Sequence, residues 1–499
     1  MNNNLYFCFI LIFFSCFSPS EPKLAETKDE SINAILVDYK NDIDNITYLI
    51  GGSARKSFGL SLADYGQPKH SYVEGFNKVD QNLEWDINVP NEGAGEYRIS
   101  SLIKANKDQN FKIELISNNK TISSISFNAI SNDWDKLDAG VIELPNGIST
   151  LKFSMSVDGD IHFKSLELIK ESNVSSYLQR VNAFKSDISW FSKSKYGVMF
   201  QYGPWGYPQS GEKKSFEQQT NDFDVPDFVN MVKETGASYV VWSMSWWTFQ
   251  VSAPIHSIDA IVGNGDRTSS RDLIGEIAMA LDKEGIDFML YYHTGQDSHL
   301  GYNSTNWWQA QDWPNEFKAT GAGNRETFFK NWIEVINEVG IKYGTLLDGW
   351  FFDDGLVYYP APFEKMGAAA KAGNPDRLIA HNDWIISRYT EFQDVTFGEG
   401  EHGEIAIGSA PEGSDGVFTE GKSKGLLQHA MFRMEQDWGV RDPNTRIITE
   451  ITMSQAHSWL NSSILRNVPL TFNMMMWEDG TVSQESLNIM KTLKAKFIN

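Results

Sequence analysis

The heptapeptide GWFFDDG, running from Gly349 to Gly355, sets Trp350, Phe351 and Phe352 directly before two adjacent acids, Asp353 and Asp354. So apolar a run suits a buried strand, and the carboxyl end of such a strand is where barrel enzymes place catalytic acids. If the strand continues through both acids, their side chains point to opposite faces. The same residues also read as a strand closed by an Asp-Asp-Gly turn, since Asp and Gly are common turn formers. Asp348, at the start of the segment, reads as structural.

What the chain lacks narrows the chemistry further. Both cysteines, Cys8 and Cys16, fall within the first 20 residues, so the mature domains offer no disulfide, no cysteine nucleophile and no Cys-based zinc site. The 9 histidines show no HExxH or HxH spacing, and DGDIHF is too short a pattern to imply calcium. Neither a metal nor an organic cofactor is expected. With 65 acidic residues against 43 basic ones the formal charge is −22, which argues against nucleic acid and anionic membrane surfaces as partners. Aromatic residues make up 13% of the chain. Their faces stack on the C–H faces of sugars as well as filling cores, so the surplus leans mildly toward carbohydrate.

Positioning such a site takes several elements, and the chain divides visibly. Residues 1–20 hold an apolar stretch from Leu5 to Phe17, too short to cross a bilayer and suited to a signal-peptide core. Cys16, after Phe14-Ser15, resembles the lipidated cysteine of a bacterial lipoprotein; the alternative is a cysteine of no consequence in a discarded peptide. A secreted, periplasmic or lipid-anchored outer-surface location is expected, with the lipid as the only membrane contact. Residues 21–45 are polar and read as a linker.

Residues 46–172 change to short alternating segments such as FKIELIS, STLKFSMSV and IHFKSLELI, separated by turn formers, the signature of an antiparallel β-sandwich. From 173 to 499 strand-like runs (KYGVMFQ, ASYVVWSMSW, IDFMLYYH, TLLDGWFFDD) alternate with helical ones (VPDFVNMVKETG, RDLIGEIAMALDKEG, ETFFKNWIEVINEVG). That order implies parallel βαβ units, and the length suits a (β/α)8-type barrel better than an open sheet.

The sandwich segment resembles jelly-roll carbohydrate-binding modules through Trp85, Tyr97, Trp134, Gly140, Leu144, Pro145, Gly147 and Phe163, mostly core positions of that fold. Sugar binding by this domain and a purely structural role both remain open.

The barrel segment, from about Trp190 onward, resembles the α-L-fucosidase family of retaining glycoside hydrolases. KYGVMFQYGPWGYP is similar to that family's "K(F/Y)GIFIHWGPYSVPA", and RDLIGEIAMALDKEGIDFMLYY to its "RDLVGEL...RK.GLKFGLYYS". DGWFFDDG resembles "DG.WFDG", whose last Asp is the family nucleophile. The resemblance therefore assigns Asp353 as nucleophile, with Asp354 as the lesser candidate. In GEGEHGE, Glu399 aligns with the family acid/base; Glu401 and Glu404 are alternatives, and Glu435 in MEQDWG is a further acid. Gln201 and Tyr202, Trp246 and Trp247, and Tyr292 and His293 end the first three barrel strands and are expected to face the pocket, with Asn382 and Trp477 from later strands. For each tryptophan a packing role is the competing reading.

Departures fall on sugar-contacting positions. The family's His-Trp pair is Gln201-Tyr202 here, and its "KHHDGF" reads SWWTF, placing Trp246 and Trp247 where imidazoles hold sugar hydroxyls. An indole supplies no acceptor, so the pocket holds fucose by other contacts or reads another glycoside. The resemblance implies an oligo- or polysaccharide substrate. Three readings follow: an α-L-fucosidase-like hydrolase, a hydrolase of altered or endo specificity on fucose-containing polysaccharide, and an inactive glycan-binding protein.

Overall fold

Alternation builds the N-terminal region. In the strand Asn82–Val89, every second residue is buried (Leu83, Trp85, Ile87, Val89) while its neighbours stay half-exposed. The computed structural model describes residues 34–63, 72–130, 132, 134–246, 250–262, 267–293, 326–353, 359–382, 388, 390–421 and 423–498. Within these, two six-stranded sheets form the sandwich. One runs Ile35–Leu36, Asn82–Val89, Gly147–Met155, Asn110–Ser117, Lys120–Asn128, with Arg55–Lys56 beside the second of these strands. The other runs Trp134–Leu144, Gly95–Lys104, Ile161–Lys170, Tyr72–Phe76, Ser61–Ala63, with Thr47–Ile50 beside the third. Trp85, Tyr97, Leu144 and Phe163 lie in the shared core, as module-like core positions should. Gly147, which opens the strand after Leu144, has φ +91°, a conformation that a side chain would strain.

Residues 21–45 are not all linker. Ile35–Leu36 pairs in parallel with Asn82–Val89, and Val37 is buried. The Ile-Leu-Val run at 35–37 supplies apolar surface that the polar residues around it conceal in a composition-based reading. Residues 1–33, including Cys8 and Cys16, lie outside the described residues.

Eight parallel strands close the barrel: Tyr196–Phe200, Tyr239–Ser245, Asp287–Tyr292, Gly349–Phe352, Leu378–Asn382, Val395–Glu399, Leu427–Arg433 and Leu470–Asn473. The first strand pairs with both the second and the eighth. Parallel strands covered on both faces are apolar throughout, and the two faces separate by parity. Met199, Val241, Met289, Phe351, Ala380, Phe397 and Met431 fill the lumen. Phe200, Trp242, Leu290, Phe352 and Ile379 face the surrounding helices. Phe351 stacks on Phe397 with ring centroids 4.1 Å apart, so the floor beneath the carboxyl ends of strands four and six is a rigid aromatic layer.

Helix boundaries follow local chemistry. The helix Val225–Thr235 begins with Asp224 accepting from the Asp227 N–H at 2.9 Å, has Pro226 in its first turn, and stops at Gly236 in the left-handed region. Beneath the fourth strand, the fully buried Arg377 donates to the carbonyls of Leu347 (2.8 Å), Ala370 (2.7 Å), Ala372 (2.8 Å), Gly340 (3.0 Å) and Gly344 (2.7 Å). Several of these are orphan carbonyls at the ends of the helices Glu326–Tyr343 and Phe363–Ala370.

The sandwich and the barrel share one compact unit, residues 34–499. Leu102 and Trp134 of the sandwich belong to the same apolar cluster as the barrel's helical shell. At the junction the Tyr359 hydroxyl, just beyond the fourth strand, lies 2.7 Å from Ser165 Oγ and donates to Glu167, which also pairs with Lys136.

Replacing Arg377 with Met keeps side-chain bulk but removes a donor from five carbonyls; those of Leu347 and Ala370 keep a second donor, from Asn374 Nδ2 and the Trp350 indole. Arg377→Met is expected to lower unfolding free energy by at least about 3 kcal/mol, measured as a lower urea midpoint with unchanged slope.

Candidate active site

Parity decides which residues enter the cleft. Counting by twos from the lumen residue Phe351 reaches Asp353; from Met289 it reaches Tyr291 and His293; from Ala380, Asn382; from Phe397, Glu399. These side chains gather at the carboxyl end of the barrel, where strands three to six open. Asp353 and Glu399 are half-buried, while Asn382 and His293 are buried.

Asn382 makes the central contact. Its Nδ2 donates to Asp353 Oδ1 at 2.8 Å and to Glu399 Oε2 at 3.0 Å. With one nitrogen between them, the two carboxylate oxygens are at most about 6 Å apart, compatible with the separation of about 5 Å used in retaining glycoside hydrolysis. The other oxygen of Asp353, Oδ2, accepts from the Tyr291 hydroxyl at 2.6 Å, and the Asp353 backbone N–H donates to the Tyr292 carbonyl at 3.0 Å. Asp353 is thereby fixed through both oxygens and its main chain. His293 is anchored by reciprocal bonds with Ser245: its N–H donates to the Ser245 carbonyl at 3.2 Å, and the Ser245 hydroxyl donates back to the His293 carbonyl at 3.0 Å. Its ring lies near-parallel to that of Tyr291.

The mouth is aromatic. Trp205 and Trp246 meet edge to face at 4.9 Å, and the Trp205 indole N–H donates to the Trp246 carbonyl at 3.1 Å. Trp246 and Trp438 both pack against the lumen cluster. Gln201 is buried above the first strand, and its side-chain oxygen has no hydrogen-bond partner among the described residues.

Two expected pocket residues lie elsewhere. Tyr202 and Tyr292 point outward into the helical shell: Tyr202 packs on Trp242 and Phe223, and Tyr292 on Trp332 and Phe352. Each is one residue out of phase with a lumen position, Gln201 and Tyr291 respectively. Trp477 packs in a separate cluster with Val440, Ile447 and Met475. Glu404 is exposed on the helix Glu401–Ser409. Trp247, Asp354 and the Glu401 side chain lie outside what the structure describes. Tyr291 is the pocket residue that motif comparison alone passes over; its parity with Asp353 across the neighbouring strand is the signal that finds it. Among the described residues, no group of three or more His, Cys, Asp or Glu is placed to hold a metal ion.

Glu435 is fully buried, not part of the bridged pair, with Oε2 accepting from the Met475 N–H at 2.9 Å. Burial pushes its carboxyl up to about 7, only partly offset by the Ser486 hydroxyl and the Met475 N–H.

A family model described as alpha-L-fucosidase matches residues 161–406, from the last sandwich strand through the helix after the sixth barrel strand. Among solved structures, α-L-fucosidase AlfC from Lactobacillus casei, in complex with its α-L-fucose product, is similar at 17% identity and a TM-score of 0.45, covering 62% of this chain and 98% of that one. An endo-fucoidan hydrolase of glycoside hydrolase family 107 is similar at 17% identity and a TM-score of 0.46, covering 64% and 54% respectively. A bacterial fucosidase bound to an inhibitor stands at 14% identity and 0.44, covering 62% and 73%. No curated protein sequence matches the chain.

The Glu435 carboxyl makes stability depend on pH in a stated direction. Unfolded, it ionises near its ordinary value; folded, it stays protonated to about pH 7. Between these values the folded chain holds the extra proton, so rising pH favours unfolding, by about 3 kcal/mol once pH exceeds both values. Glu435→Gln removes this dependence: the variant should match the parent near pH 4 and exceed it in denaturant resistance at pH 8.

Proposed function

Because the barrel of this chain belongs to the α-L-fucosidase family and the protein is a glycoside hydrolase, we propose that it cleaves α-L-fucosyl or closely related glycosidic bonds with retention of configuration, Asp353 attacking C1 and Glu399 serving as acid and then base. The observation that carries this reading is the single Asn382 amide shared by the two carboxylates. It sets a separation suited to direct attack, too short to seat a water molecule between acid and sugar as inversion requires.

Each lumen residue then has a task. Tyr291 and Asn382 donate to Asp353, one to each oxygen, and hold the carboxylate in a fixed orientation toward the cleft. Glu399 protonates the departing oxygen, and its half-burial leaves a path for the incoming water of the second step. Loss of the glycosyl-enzyme ester returns both acids to their starting states. Trp246 and Trp438 offer flat apolar walls for a pyranose face or a deoxy-sugar methyl group. In this reading Gln201 and His293 meet sugar hydroxyls in the place of the imidazoles that the family motif carries. An N-terminal signal segment fits secretion toward such a substrate.

The test is a leaving-group series. Asp353→Ala should reduce kcat on aryl α-L-fucosides by about 10⁴-fold, and added azide should restore turnover as the inverted glycosyl azide. Glu399→Ala should lose about 10²–10⁴-fold on poor leaving groups and far less on activated ones, with azide giving the retained product. Azide products of the opposite configurations would exchange the two roles; an unimpaired Asp353→Ala would remove the nucleophile altogether.

A further inference from the structure

Two guanidinium groups lie on indole faces at the barrel mouth. Arg441 is 5.5 Å from the Trp246 ring centroid, and its charge is matched by an ion pair with Asp437. Arg433 is 5.6 Å from the Trp438 ring centroid, and it has no ion-pair partner among the described residues. In a chain of net charge −22, a cation left unmatched beside a carboxylate-lined cleft is unusual. Among the described residues its guanidinium makes one hydrogen bond, from Nη1 to the Gln436 carbonyl at 3.1 Å, so most of the donor fork remains available.

Its place in the sheet follows from the register. Arg433 ends the seventh strand, exposed and on the lumen parity, two residues beyond Met431. Met431 is the register partner of Glu399. Two residues of strand rise are about 7 Å, so the Arg433 backbone stands one such step beyond the level of Glu399 at the mouth of the barrel. Trp438, its platform, is tied to the barrel because Asn473 Nδ2 donates to the Trp438 carbonyl at 3.1 Å. A stacked, weakly hydrated guanidinium held at a fixed height is a receptor for a planar or tetrahedral oxyanion.

We infer that Arg433, carried on Trp438, forms an anion-recognising subsite, so that the preferred substrate bears a sulfate ester or a carboxylate on the sugar next to the scissile bond. This rests on the glycoside hydrolase reading above and adds the charge of the substrate. It also reconciles an acidic protein with an anionic ligand, since long-range repulsion is screened beyond about 8 Å at physiological ionic strength while a direct contact is not.

The experiment uses the full chain with Asp353→Asn as a binding form, titrated by calorimetry with a sulfated α-L-fucan oligosaccharide, its desulfated counterpart and a uronic-acid-capped fucose oligosaccharide. The sulfated or the carboxylated ligand should bind about 10- to 100-fold tighter than the neutral one, and whichever of the two does so identifies the anion. Arg433→Gln in the same background should abolish that preference, and Arg433→Lys should retain part of it, because charge survives while the fork is lost. Equal affinity for charged and neutral ligands, or a preference unchanged in Arg433→Gln, overturns the subsite. Turnover is assayed separately with the parent protein on sulfated and unsubstituted aryl fucosides. Hydrolysis of neither defeats the fucosidase reading without touching the binding result.

Discussion

One amide nitrogen holds the candidate active site together. Two carboxylates within about 6 Å of each other repel by a few kcal/mol at an effective dielectric near 20, and without a shared donor they would separate. Asn382 Nδ2 has two hydrogens and gives one to each, so a repulsive pair becomes a three-group bridge of fixed span. The Tyr291 hydroxyl on the far oxygen of Asp353 keeps that carboxylate from rotating away. Everything below serves to keep strands three to six at the spacing this bridge needs: the Phe351–Phe397 stack between strands four and six, and the Arg377 fork under the entry to strand four.

Much of the fold is legible because its two periodicities are strong. Period-two alternation in segments such as FKIELIS and IHFKSLELI marks the sandwich, and the strand–helix alternation from KYGVMFQ onward marks the parallel barrel. What a continuous apolar run conceals is phase. In YGVMF, DFMLYY and GWFF both faces are buried, so hydrophobicity carries no sign of which residue turns inward. That is why Gln201-Tyr202 and Tyr292-His293 are each legible as the end of a strand while the member that enters the cleft is not, and why Tyr291 is passed over. A motif locates the end of a strand; only register, counted by twos from a known lumen residue, selects the side chain. Gln201 and Tyr291 are one step from Tyr202 and Tyr292, and one step reverses the face.

Other limits have different causes. Ile35, Leu36 and Val37 form too short a run to stand out from the charged residues around them, yet one edge pairing brings them into the sheet. Trp477 and Glu435 belong to loops whose paths depend on tertiary contacts with distant segments, Val440 and Ile447 for the first and Met475 for the second. Among Glu399, Glu401 and Glu404 the decisive fact is where the sixth strand ends: Glu399 is its last residue and Glu401 already begins a helix. No local pattern in GEGEHGE marks that boundary, since Gly400 at φ +55° turns the chain there through backbone freedom rather than through any side-chain cue.

The hydroxyl of Tyr359 sits among Ser165 and Glu167 from the opposite side of the domain boundary, with Lys136 closing the charge. Those polar atoms are buried only because both partners are present; parting the two bodies would wet a carboxylate, a phenol and the apolar patch around Leu102 and Trp134 simultaneously. The front sandwich therefore behaves as masonry rather than as a tethered scoop. Any polymer that touches both bodies must then run along a surface of constant shape.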